Sequence, residues 1–112
     1  MKKAYRIKKT KEFQKVINAR ASYANRNIVL FILPNQMQSH FRVGFSVGKK
    51  VGNAVTRNRV KRQLREAVYQ MRDEFPDHLD FIVIARPNIV QLTTQEVEQN
   101  LRHVCRLASI IK

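Results

Sequence analysis

Residues 49–66, KKVGNAVTRNRVKRQLRE, hold seven Lys or Arg and one Glu, and the cations fall at helical spacing. Arg57, Lys61 and Arg65 recur at i, i+4, i+8, while Asn58, Arg59 and Arg62 carry the polar face further around the helix. A guanidinium forks a phosphate through two parallel N–H donors, and an Asn amide reaches phosphates or 2′-hydroxyls, so this row suits a polyanion. The competing reading is a solvated charged face. Against it, like charges at i, i+4 repel by roughly 0.2–0.5 kcal/mol per pair, a cost that a bound polyanion relieves.

The other side chains capable of chemistry do not converge. His40, His78 and His103 fall in a turn, an acidic loop and the last helix, without ligand spacing or a nucleophile–base arrangement. Asp73, Glu74, Asp77 and Asp80 surround Pro76 and could suggest a two-metal nuclease, yet they lie in the least basic half and read as a solvated loop. The single cysteine, Cys105, excludes an intrachain disulfide and a Cys-based zinc knuckle. It sits in a helical apolar stripe as a packed thiol and fits a reducing cytoplasm.

Charge is segregated along the chain. The first 66 residues carry 17 basic and 2 acidic side chains (+15) and the remainder 5 and 6 (−1), which sum to the net +14. Such asymmetry at a pI of about 10.8 is the footprint of a nucleic-acid partner, or less often of an anionic membrane. The longest apolar stretch, Ile28 to Leu33, is far below the roughly 20 residues of a membrane span, and no signal-peptide core follows the basic start. A chain of 112 residues without repeat, linker or low-complexity tract is expected to form one domain, residues 1–112, with residues 1–9 as a basic arm.

The elements that must position these residues can be read in order. Thr10 is the expected N-cap of a short helix bearing Phe13, Val16 and Ile17 and ending near Arg20. Asn27 to Leu33 reads as a covered strand and Phe41 to Val47 as a half-buried one, with Phe41, Val43, Phe45 and Val47 on one face. Asn53 caps the basic helix, which buries Val60, Leu64, Ala67, Val68 and Met71 and ends near Arg72. Phe81 to Ala85 is a central strand. Thr93 and Glu96 form a capping box for a last helix that buries Val97, Leu101, Val104, Ala108 and Ile111. The expected class is α/β, an α+β sandwich in the order α-β-β(-β)-α-β-α, with a mixed sheet packed by helices and one further short strand near Ala24 to Leu33.

The run GNAVTRNRVKR, preceded by FRVGFSVGKK and followed by FIVIAR, resembles the protein subunit of bacterial ribonuclease P. IKKTKEFQKV and ANRNIVLF resemble that family's first helix and first strand, so the likeness covers nearly the whole chain. It implies a left-handed βαβ crossover formed by Phe41–Val47, Asn53–Arg72 and Phe81–Ala85, contrary to the usual right-handed rule. It also implies a catalytic RNA partner that, with Mg²⁺ held mainly by the RNA, removes the 5′ leader of precursor tRNA, with the chemistry carried by RNA and not by protein side chains.

By resemblance, Lys49, Lys50, Asn53, Arg57, Asn58, Arg59, Lys61, Arg62 and Arg65 contact the catalytic RNA, and Phe13, Ile17 and Phe31 line a cleft for the leader. Ile17 stands where family members often have a second aromatic, Phe31 where many have Tyr, and Arg20 where a Gly is common. Taken without the resemblance, Phe13, Ile17 and Phe31 are ordinary core residues. A small ribosomal or RNA-chaperone-like protein is the alternative reading, separated from the first by the ordered signature. A DNA-binding helix module lacks the second helix before a tight turn that a helix-turn-helix needs. No membrane or small-molecule substrate is expected, and the expected location is the cytoplasm.

Overall fold

Six of the seven positions of Leu79–Ala85 are buried, which a strand achieves only when both faces of its sheet are covered. The computed structural model describes residues 2–112 and shows how. In chain order it contains α1 (Thr10–Asn18), β1 (Ser22–Ala24), β2 (Ile28–Pro34), β3 (Arg42–Ser46), α2 (Ala54–Gln70), β4 (Leu79–Ala85) and α3 (Thr94–Leu107). Short 3₁₀ turns stand at Lys3–Tyr5, Lys49–Val51 and Pro87–Gln91. The sheet runs β1-β2-β4-β3, antiparallel except for the parallel pair of β3 and β4. The expected element order therefore holds, and the extra strand is β1, hairpinned onto β2.

Strand alternation splits the core in two. Leu30, Val43, Phe81 and Val83 face α2 and α3 in the larger cluster, with Val60, Leu64, Val68, Val97, Leu101 and Val104. On the opposite face Val16 of α1 and Ile7 of the arm close over Ile82, with Phe13, Ile17, Phe31, Leu33 and Ile84 half-buried around them. The arm is fixed to the free edge of the sheet, where the Ile7 N–H donates to the Val43 carbonyl at 2.9 Å.

Local signals account for the two long helices. The Asn53 side chain accepts from the Thr56 N–H, and Thr93 and Glu96 form the full reciprocal capping box. Gly52, at φ 156°, turns the chain into α2; a side chain there would meet both an unfavourable backbone region and Thr56 at 2.9 Å.

Two expectations are corrected, the N-cap of α1 and the place of Asp80. Lys9, not Thr10, is the N-cap of α1, without a side-chain cap bond, because the Lys9 carbonyl already accepts the first helical bond from Phe13. The helix does end near Arg20, as expected: its last residue is Asn18, and Arg20 takes a left-handed φ of 61° that no helix can continue through. Asp80 belongs to β4 and not to a solvated acidic loop. It is 3% exposed and accepts from Arg42 Nε at 3.0 Å and Nη2 at 2.7 Å, and from Asn35 Nδ2 at 2.9 Å.

Candidate nucleic-acid interface

Packing of α2 on α3 and the sheet turns one side of the helix outward. Val60, Leu64, Ala67, Val68 and Met71 are buried, as the stripe required. Arg57, Lys61 and Arg65 line its border half-buried, while Asn58, Arg59 and Arg62 are exposed. Lys49 and Lys50 stand exposed on the 3₁₀ turn between β3 and α2, held there by buried Val51. The first turn of α2 adds its share of partial positive charge at the same end.

These cations are uncompensated. Among the described residues the ion pairs involve only two basic side chains, Arg42 with Glu12 and Asp80, and Arg102 with Glu74 and Glu98. None of the seven Lys and Arg of residues 49–66 is paired. Arg59 Nη2 donates to the Val90 carbonyl at 3.2 Å, whereas Nε of both Arg57 and Arg65 is buried without a partner. Burial, and then the charge of Arg6 on the arm, push the Arg65 guanidinium below its ordinary range. Asn53 is partly committed, because its side-chain oxygen already caps α2 at 2.9 Å.

The second group converges from separate elements. Phe13 and Ile17 come from α1 and Phe31 from β2, and all three border the small cluster around Ile82. Phe13 lies against bare backbone of β3: a Cβ on Gly44 would sit 2.5 Å from Phe13 Cε2. Register extends this floor beyond the sequence expectation. Phe31, Ile82 and Gly44 form one cross-strand row, and Val29, Ile84 and Ser46 form the next on the same face, all three half-buried. Val29 was readable by alternation from Phe31; Gly44, Ser46 and Ile84 required the register.

The acidic and histidine side chains do other work. Hydrogen bonding to Asp80 is the main reason the Arg42 guanidinium is held above its ordinary value, with Glu12 accepting from Nη1 at 2.8 Å. His40 stacks on Tyr5, His78 Nδ1 meets the Gln38 carbonyl and His103 Nδ1 meets the Asn25 amide. Among the described residues no group of three or more His, Cys, Asp or Glu stands together as a metal site, and no helix is long and apolar enough to cross a membrane.

Known proteins match this chain over nearly its whole length. The Ribonuclease P family model matches residues 1–109. The ribonuclease P protein component of Enterococcus faecalis is 55% identical over 111 residues, covering 99% of this chain and 94% of that protein. That of Latilactobacillus sakei is 51% identical over 112 residues, covering 100% and 93%. Among solved structures, the Staphylococcus aureus RNase P protein superposes with a TM-score of 0.91 at 41% identity, covering 98% of this chain and 100% of that one. The Thermotoga maritima RNase P protein gives 0.80 at 25% identity, covering 90% and 96%. On sequence, coverage and fold together, this chain belongs to the ribonuclease P protein family, the protein component of that RNA-processing endoribonuclease.

Proposed function

We propose that the chain binds the catalytic RNA of ribonuclease P through Lys49, Lys50, Asn53, Arg57, Asn58, Arg59, Lys61, Arg62 and Arg65, and guides the 5′ leader of precursor tRNA along the cleft of Phe13, Ile17 and Phe31. The observation that carries this reading is a row of cations that no carboxylate of the protein neutralises, on a fold whose opposite sheet face carries a half-buried apolar floor. Each arginine fork neutralises backbone phosphate and releases counterions without reading sequence. The cleft offers ring faces and aliphatic surface to unpaired bases, and only a precursor carries an unpaired 5′ leader.

Residues 1–112 act in this reading as one RNA-binding domain, with residues 1–9 as its basic arm. Four of the eight carboxylates are already neutralised, Glu12 and Asp80 by Arg42 and Glu74 and Glu98 by Arg102, and among the described residues no three His, Cys, Asp or Glu stand together as a metal site. The ion is therefore assigned to the partner RNA, and the protein's part is to orient the leader and relieve repulsion between two RNA strands. A buried free Cys105 suits a cytoplasmic setting. The test is reconstitution: the purified chain, added to the catalytic RNA at low Mg²⁺, restores cleavage of a leader-bearing tRNA precursor. Binding of RNA with no gain in cleavage at any Mg²⁺ concentration would return the protein to the ribosomal or chaperone-like alternative.

A further inference from the structure

A concavity separate from the cleft lies where the N-terminal arm crosses the C-terminal end of α2. Its volume is about 350 Å³, and it is lined by Tyr5, Phe41, Tyr69, Lys2, Arg72 and Asp73. That size is within the range of small-ligand sites, roughly 300–1,000 Å³. The rings are held in place before anything binds. Tyr5 stacks on His40 with centroids 4.1 Å apart and tilts against buried Phe41 at 5.1 Å, which in turn packs on Phe75 and Phe81 in the core. Arg72 lies 4.1 Å above the Tyr69 ring and is tied down by a 2.8 Å bond from Nη1 to the Tyr69 carbonyl. Tyr69 itself is 43% exposed, a large ring left in solvent on a basic surface.

The concavity adjoins the cationic face of α2. A second groove, formed by Arg62, Arg65, Glu66 and Tyr69, shares Tyr69 with it. Arg6 of the arm adds its positive charge near Arg65, whose buried Nε has no partner. A backbone that crosses α2 through Arg62 and Arg65 therefore reaches the aromatic concavity next.

We infer that this concavity accepts an unpaired base of RNA lying along α2, stacked on the tyrosine rings, with its flanking phosphates against Lys2 and Arg72. A bare anion has no use for three rings and is opposed by Asp73. An apolar peptide leaves two cations and a carboxylate without partners. A nucleotide uses all three: faces for the rings, phosphates for the cations, and an amino or imino N–H for Asp73. Adenine, cytosine and guanine offer it an exocyclic amine and uracil its N3–H imino group, so the concavity takes any of the four bases.

The inference rests on RNA being the partner, and the test separates the two claims. The chain has three tyrosines and no tryptophan, so its intrinsic fluorescence reports mainly on the two pocket rings. The full chain is titrated with an adenine RNA oligomer of about six nucleotides and with an abasic ribose-phosphate oligomer of equal length and charge. The adenine oligomer binds about fivefold or more tighter and quenches the tyrosine signal. Tyr69→Leu removes that advantage and most of the quenching, leaving the melt and the abasic affinity as they were. Salt-dependent binding of the abasic oligomer reports the cationic face whether or not a base enters the concavity. Three results overturn the inference: equal affinity for both oligomers, a base preference that survives Tyr69→Leu but disappears in Phe13→Ala, and equal quenching by free AMP at the same nucleotide concentration.

Discussion

Phe13 can be removed in two ways that leave different things behind, and the pair tests the leader cleft. Phe13→Ala deletes the ring; Gly44→Ala keeps it and pushes it off the sheet, since the new Cβ would stand 2.5 Å from Cε2. A fully buried Phe costs about 3–5 kcal/mol when truncated to Ala, and half-buried Phe13 should cost about half that. Gly44→Ala should cost about 1 kcal/mol, the low end for overpacking, because the displaced atom is the edge of a side chain that can swing outward. If one leader base stacks on this ring, either change costs precursor binding about 1–2 kcal/mol, or about 5- to 30-fold in affinity. Mature tRNA, lacking a leader, should bind the assembled enzyme as before. The assay is equilibrium binding of precursor and mature tRNA to the reconstituted holoenzyme, with leaders shortened stepwise and a thermal melt of each variant. Equal losses for precursor and product would show that Phe13 only anchors α1, and the leader cleft would have to be abandoned.

Binding of the catalytic RNA should weaken steeply with salt, with a log–log slope of several units negative for about five to eight phosphate contacts. Arg57→Ala with Arg62→Ala should make that slope shallower by about two units while barely moving the melting temperature; a wild-type slope near −1 refutes the phosphate-binding face. Burial pushes the Cys105 thiol up to about 12 from 9.0. A thiol held protonated in the fold contributes stability that is complete below pH 9 and is lost as pH rises toward 12. Near pH 10 the wild type should therefore lose about 1.4 kcal/mol relative to its own neutral-pH value that Cys105→Ala does not lose, read from urea melts of both. Arg20→Gly should raise stability by roughly 0.5–1 kcal/mol by relieving a positive φ, measured by urea melts; an unchanged or lower midpoint contradicts that account.

What the sequence disclosed divides by how far apart the cooperating residues are. The stripe from Val60 to Met71, the Asn53 cap and the cationic row all lie within one helix, where a 3.6-residue period is a complete description. The cleft became legible only through family resemblance, because Phe13, Phe31 and Gly44 meet across three elements whose register no local pattern encodes. Asp80 failed for the same reason: its partner Arg42 is 38 positions away, and without that partner its neighbours Asp73, Glu74 and Asp77 made it look like loop. β1 has three residues, two of them exposed, too few for alternation to register.

The ion pairs explain how so basic a chain keeps its charge on one face. Glu12 and Asp80 meet on Arg42, tying α1 to the edge of the sheet; Glu74 and Glu98 meet on Arg102, tying the loop after α2 to α3. Four of the eight acids are thus spent on two arginines outside the basic row, and α2 is left with Glu66 as its only carboxylate. A helix so charged is self-repelling and poorly stable by itself. It persists because Val60, Leu64, Val68 and Met71 are wholly buried against the rest of the fold. The same packing that makes α2 a helix therefore holds its cations in one row along the border of the buried stripe.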